Sequence, residues 1–407
     1  MRLLYTIALR LALPFILLRL WWRGQREPGY RDNVQERFGI YSGEKPQKAL
    51  WVHAVSVGEA RAAAPLVRAL QGLLPDHTVV MTCTTAAGRE TLRQVYGESV
   101  LAAFLPYDYP ESVQAFLERF RPRLGVLMET ELWPNLLAQC ERHAVLVVLA
   151  NARMSEKSAR GYHRWRALMA PGIRTLAAVC AQSEADAERL RALGASRVEV
   201  TGNLKFDVAL DAAQLAAGRE WRAKLGRPVL LLASTREGEE KILIEALPAG
   251  LENLLVVVVP RHPQRFDEVA GLAQSRRTQT ALPRPEDRVH LGDTMGEMAF
   301  YYAACDVAVI GGSLLPLGGQ NLIEALAAGA PVVVGPSMFN FAEATRLALD
   351  AGAAVQAPGA PAAIREALGL LSSPVKRAAM GEAGKKLCEA HRGATGRHLE
   401  ICRQLIS

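Results

Sequence analysis

The chain has 407 residues, half of them apolar and 22% charged, which excludes a disordered or fibrous chain and predicts two domains of similar size. Of the formal net charge of +7, most sits in residues 1–50, where nine Lys or Arg stand against four Asp or Glu. The remainder is nearly neutral, so a nucleic-acid-binding body is not expected.

Residues 1–22, MRLLYTIALRLALPFILLRLWW, are rich in Leu, Ile and Phe and are broken by Arg2, Arg10 and Arg19. A spanning helix needs about 20 apolar residues, and Arg10 and Arg19 fall on opposite sides of a helix, leaving no clean polar face. No small-residue cleavage site follows. Arg23, Arg26 and Arg31 come next and suit a flank facing anionic headgroups. The segment reads as a membrane anchor, shallow or marginally spanning, against the alternative of a helix buried in the protein. Six cysteines (Cys83, Cys140, Cys180, Cys305, Cys388 and Cys402) form no C-x-x-C pair. That spacing excludes a disulfide framework and suits a reducing compartment.

From residue 49 onward, short β-branched runs alternate with helical patterns. The runs are 49–55, 78–84, 124–129, 144–151, 176–182 and 197–202, then 228–234, 253–260, 307–312 and 331–336. Apolar strands separated by helices predict parallel sheets covered on both faces. The expected organisation is an anchor at 1–22, an N-terminal α/β domain at 23–206, a linker at 207–227 and a C-terminal α/β domain at 228–407. The last helix is a candidate to pack back on the N-terminal domain.

Open parallel sheets bind ligands at the carboxyl ends of their strands, so the loops there hold the candidate residues. After the first run comes Ser56-Val57-Gly58-Glu59, whose S-x-x-E spacing is also that of a helix capping box. Glu129 and Glu131 leave the third run on one face of an extended segment. They suit a general base or support for a cation, or simply a solvated loop. Lys205, in Thr201–Asp207, is placed either to neutralise a phosphate or to lie on the surface. In the second half, Arg261 and His262 follow a strand between two prolines. Gly292–Glu297 opens a helix, and Gly311-Gly312-Ser313 to Gly318-Gly319 runs into Asn321–Glu324. Amides at helix starts hold phosphate, so these segments with Arg261 predict a nucleotide-phosphate site; the alternative is that Asn321 and Glu324 cap a helix. No G-x-G-x-x-G, Walker loop, G-x-S-x-G elbow or metal-ligand spacing occurs, and no metal is implied.

In order, SVGEA (56–60), LPYD (105–108), METELWPN (128–135), ANARMS (150–155), TGNLKFD (201–207), PRHPQRF (260–266), GDTMGE (292–297), GGQNLIEA (318–325) and GPSMFNF (335–341) resemble the motifs of the 3-deoxy-D-manno-octulosonic acid (Kdo) transferases. RDNVQERFG (31–39) and the basic N-terminus extend the likeness over nearly the whole chain; Gln320 and Leu322 depart from residues common in that family. The resemblance implies a GT-B fold of two Rossmann-like domains facing a central cleft. It implies transfer of Kdo from CMP-Kdo to the lipid A precursor at the cytoplasmic face of the bacterial inner membrane, without a cofactor. It makes Glu59 the proton acceptor, and Glu129 and Lys205 transition-state stabilisers. Arg261, His262, Met295, Gly296, Glu297, Asn321, Leu322, Ile323 and Glu324 become contacts to CMP. One base with direct displacement implies inversion at the anomeric carbon. The competing readings are a GT-B enzyme using a UDP-sugar and a two-lobed binding protein without chemistry.

Overall fold

In the computed structural model, which describes residues 1–406 apart from the Arg26 side chain, the chain forms two compact units. One is Met1–Asp207 with Arg392–Ser407, and the other is Val208–His391. The first sheet contains Ala49–His53 (β1), Thr78–Cys83 (β2), Leu101–Phe104 (β3), Pro122–Met128 (β4), Leu146–Ala152 (β5), Ala178–Ala181 (β6) and Val198–Val200 (β7). Its spatial order is β3-β2-β1-β4-β5-β6-β7, all parallel. Alternation along β1 feeds two cores. Leu50 and Val52 pack with Leu66 and Leu70 on one face, while Ala49 and Trp51 pack with Phe116 and Phe120 on the other. Trp51 lies opposite Gly125 in register. A Cβ at 125 would sit 2.7 Å from the indole, so the large ring requires a glycine there.

The second sheet contains Val229–Thr235 (β8), Leu255–Pro260 (β9), Ser275–Arg276 (β10), Val289–Leu291 (β11), Val307–Ile310 (β12), Val332–Val334 (β13) and Ala354–Gln356 (β14). Its order is β10-β11-β9-β8-β12-β13-β14, again parallel. Four strands, β3, β10, β11 and β14, were not among the apolar runs. All have four residues or fewer and lie at or next to a sheet edge, where no continuous apolar run is required.

Residues 207–227 do not form a free link. Asp211 accepts from the N–H groups of Ala213 (2.8 Å) and Gln214 (3.1 Å) and caps a helix, Ala212–Leu225. Gly218 lets this helix approach the helix Met298–Ala304 so closely that a Cβ would meet the Phe300 carbonyl oxygen at 2.3 Å. Buried Trp221 donates to Ala281 O at 2.8 Å. An Ala-rich stretch reads as polar linker in sequence, yet small residues are what permit close helix packing. The last helix, Ala394–Ile406, lies on the first sheet through Ile401, Cys402 and Ile406.

The N-terminal helix, Arg2–Arg26, belongs to the first unit and is held along one side. Asn135 Nδ2 donates to Thr6 Oγ1 at 3.0 Å, and Tyr109 Oη to Leu9 O at 3.0 Å. Tyr5 bonds buried Asp108. Its other side exposes Leu3, Leu4, Leu11, Phe15, Leu18, Trp21 and Trp22. Arg2–Gln25 is long and apolar enough to cross a membrane by length and composition.

Candidate functional site

In the first sheet β1 and β4 are neighbours in space, but the chain leaves them in opposite directions. Their carboxyl ends therefore open the crevice where such sheets hold ligands. Glu59 follows β1 and Glu129 follows β4. Ser56 Oγ accepts from Glu59 N–H at 3.3 Å and starts the helix Val57–Ala62. The Glu59 carboxylate accepts from Ser56 Oγ at 2.8 Å and from Val55 N–H at 2.9 Å. The capping geometry is thus present, and it aims the same carboxylate that the resemblance makes a base. Only 9% of Glu59 is exposed. Burial first, and then the charge of Glu129, push its carboxyl up to about 7; the bonds from Val55 and Ser56 oppose the shift, and Glu131 adds slightly to it. A carboxyl group near neutrality exchanges protons at physiological pH.

Glu129 has a positive φ of 59°, a conformation that costs a non-glycine residue roughly 1–3 kcal/mol. Lys205 Nζ lies 3.5 Å from its Oε1, both side chains being partly buried. Glu131 accepts from Trp133 Nε1 at 2.9 Å, and burial followed by Glu129 raises its carboxyl above the usual range. Three acidic groups and one lysine therefore converge at one rim; the sequence placed Glu59, Glu129 and Lys205 each after a strand. Their grouping comes from the strand order.

In the second sheet the corresponding crevice lies between β8 and β12. Arg261 follows β9, and its N–H donates to Thr235 O at 2.9 Å. Burial, then Arg236 and Arg261, push the imidazole of His262 below its ordinary range, which locates a basic cluster at this rim. Met295 is exposed, Gly296 has a φ of 78°, and Glu297 accepts from Thr294 Oγ1 at 2.6 Å ahead of the helix Met298–Ala304. Three features bear on the residues expected here. Asn321 does cap: its Oδ1 accepts from Ile323 N–H (3.0 Å) and its Nδ2 donates to Glu324 Oε1 (2.8 Å). Leu322 and Ile323 are wholly buried, which leaves only their main chain for a ligand. The glycine loop's amides are largely engaged within the protein. Gly312 and Leu314 N–H bond Glu239 (2.5 and 3.1 Å), Gly318 N–H bonds Ser337 Oγ (3.0 Å), and Gly319 N–H bonds Gly312 O (2.7 Å). The loop amides of Gly312, Leu314, Gly318 and Gly319 are therefore already partnered within the protein.

Sequence reasoning did not single out a buried polar network under Lys205. Asn151, Gln182, Asn203 and His398 are each less than a tenth exposed. The first three stand at or just after strand ends, which is the available signal. His398 had none.

The family model for 3-deoxy-D-manno-octulosonic-acid transferases (kdotransferase) matches residues 32–208. A 3-deoxy-D-manno-octulosonic acid transferase of Bordetella pertussis is 47% identical over 97% of each chain. One from Haemophilus influenzae is 35% identical over 100% of this chain and 99% of its own. Among solved structures, the UDP-GlcNAc 2-epimerase of Neisseria meningitidis bound to UDP-GlcNAc superposes with a TM-score of 0.57 over 88% of this chain and 100% of that one. At 16% identity the likeness is one of fold, a pair of doubly wound parallel sheets.

Proposed function

The chain belongs to the Kdo transferase family of glycosyltransferases, and from that premise we propose that it moves Kdo from CMP-Kdo to the lipid A precursor, lipid IVA, with inversion at the anomeric carbon. The observation that carries the mechanism is a buried carboxyl, Glu59, held near pH 7 at the first sheet's switch point. Glu59 takes the proton from the acceptor hydroxyl as the bond to the anomeric carbon forms. That carbon gains oxocarbenium character as the phosphate departs. Glu129 with Lys205 stabilises the charge that develops in the first unit. CMP is a good leaving anion and needs no acid; Arg261, with the basic cluster around His262 and the Asn321–Glu324 turn, receives it in the second unit. The proposed chemistry calls on no metal. Single-turnover Kdo transfer by Glu59→Gln is the test, and a rate within a few-fold of wild type removes Glu59 from the chemistry.

The same reading puts the N-terminal helix at the cytoplasmic face of the inner membrane. A helix whose first ten residues are bonded to the α/β unit on one side lies in the interface with its other side in the lipid. A chain starting near residue 24 is expected to lose binding to anionic vesicles while still unfolding cooperatively. Loss of cooperative unfolding would instead make the helix part of the core.

A further inference from the structure

The segment that carries Lys205, Thr201–Asp207, has few regular hydrogen bonds of its own. Its anchors come from Asn151, from Asn203 within it, and from the last helix. Asn151 has a φ of 51° and sits where the β5–β6 register breaks between Leu149 and Ala152. That backbone turns the Asn151 N–H toward His398, whose Nε2 accepts it at 2.9 Å. His398 Nδ1 lies 2.7 Å from Ala394 O, so Nδ1 carries the proton and Nε2 is the acceptor. On its other side Asn151 Oδ1 accepts from Leu204 N–H at 3.0 Å. A second path joins the same points: Gln182 Nε2 donates to Asn151 O (2.8 Å), Asn203 Nδ2 donates to Gln182 Oε1 (2.9 Å), and Asn203 Oδ1 accepts from Lys205 N–H (3.0 Å). The last helix also holds both ends of the segment. Arg397 Nε donates to Thr201 O at 2.8 Å, and the Asp207 carboxylate accepts from the Gly393 (2.7 Å) and Thr395 N–H groups.

We infer that His398 is a positioning residue for Kdo transfer: through Asn151 it sets the backbone of Leu204 and Lys205, and so the place of the Lys205 ammonium beside Glu129. The last helix is then part of the first unit's chemistry, although 186 residues separate Asp207 from Gly393. The reasoning is geometric. Asn151 tolerates a left-handed backbone better than most residues, but the strain persists only where the surroundings impose it. Here a buried imidazole with one fixed acceptor nitrogen does so. A misplacement of about 1 Å in a catalytic group costs on the order of 10²-fold in rate.

The inference rests on the role proposed for Lys205, and the experiment separates the two. In the full-length protein, Lys205→Ala, His398→Leu and His398→Gln are compared in Kdo transfer from CMP-Kdo to lipid IVA. Amide hydrogen exchange at Leu204 and Lys205 is followed alongside. His398→Leu is expected to lower kcat about 10- to 100-fold, with KM for the donor within about twofold. Exchange at the two amides is expected to rise at least about tenfold. His398→Gln restores an acceptor near the Nε2 position and is expected to recover kcat to within about threefold of wild type. A purely structural histidine would lower stability in both variants without this split. Should His398→Leu fail to fold, Asn151→Gly keeps the left-handed backbone, removes the bond to Leu204 N–H, and is expected to show the same loss. A folded His398→Leu or Asn151→Gly with wild-type kcat overturns the inference while Lys205 keeps its role. An active Lys205→Ala overturns both.

Discussion

Each sheet places a glutamate just past its central first strand, and the two glutamates have opposite fates. Glu59, after β1, keeps part of its hydrogen-bonding capacity free and faces Glu129 across the switch point, so its protonated form is favoured and its carboxyl is raised to about 7. Glu239, after β8, is wholly buried and accepts from the N–H groups of Arg236 (2.9 Å), Gly312 and Leu314. Beside it Glu240 is ion-paired with Arg265 at 2.6 Å. Topology and burial are shared by the two glutamates. What separates the proposed base from a structural brace is the company each carboxylate keeps: a like charge and few donors for Glu59, a full set of amides for Glu239. At the second rim Glu239 is taken up by amides and Glu240 by Arg265, while Arg236 and Arg261 lie near His262, which suits an anion.

The comparison breaks most visibly in rate. Glu59→Gln is expected to lower single-turnover transfer by about 10²–10⁴-fold, with melting temperature and CMP affinity near wild type. Glutamine serves equally well in a capping box, so a merely capping Glu59 would leave the rate intact. On the other rim, Arg261→Ala is expected to weaken CMP binding roughly 10- to 150-fold by calorimetry, the effect of one charge-assisted contact. An unchanged dissociation constant would place the nucleotide elsewhere.

Much of the fold and of the first rim was legible in the sequence, and the remainder, Glu239 included, was hidden for physical reasons. The central strands are continuous apolar runs because both sheet faces are covered, so ten of fourteen appeared directly. Glu59, Glu129 and Lys205 were visible as charged residues where apolar strands end. The left-handed backbone at Glu129 and Asn151 was not, since φ is set by neighbours distant in sequence. His398 lies on an unremarkable helix, and only the return of the chain to the first sheet brings it beneath Lys205. The linker at 207–227 was misread because Gly218 and the alanines pack through an absence of side chain, which leaves no apolar signature.

The brace is expected to act on stability. Glu239→Gln presents an amide NH₂ to N–H donors and is expected to destabilise the second unit by about 1.5–3 kcal/mol, the range for bonds to a charged group. Faster hydrogen exchange at Gly312 and Leu314 would accompany a lower unfolding midpoint. Unchanged stability would mean that Glu239 is no brace, and the contrast with Glu59 would lose its second half.

The smallest effect is the most specific to the comparison, because it changes the company of Glu59 without touching Glu59. Burial and Glu129 both favour its protonated form, raising the carboxyl from 4.5 to about 7. A folded-state pKa above the unfolded one means that wild-type stability is intact below about pH 4.5 and falls as pH rises toward 7. The ionised base, and with it the acid limb of kcat, develops over the upper part of that same window. Glu129→Gln removes the like charge and leaves the burial. The acid limb is therefore expected to move down by about half to one pH unit, and the stability lost on ionisation to shrink by about 1.4 kcal/mol for each unit. Maximal kcat also falls, since Glu129 pairs with Lys205, so the position of the limb is the quantity to read rather than its height. A limb that stays in place would show that Glu59 does not feel Glu129. Burial alone would then separate Glu59 from an ordinary carboxylate, and Glu239, the more deeply buried of the two, would make the contrast one of amide donors only.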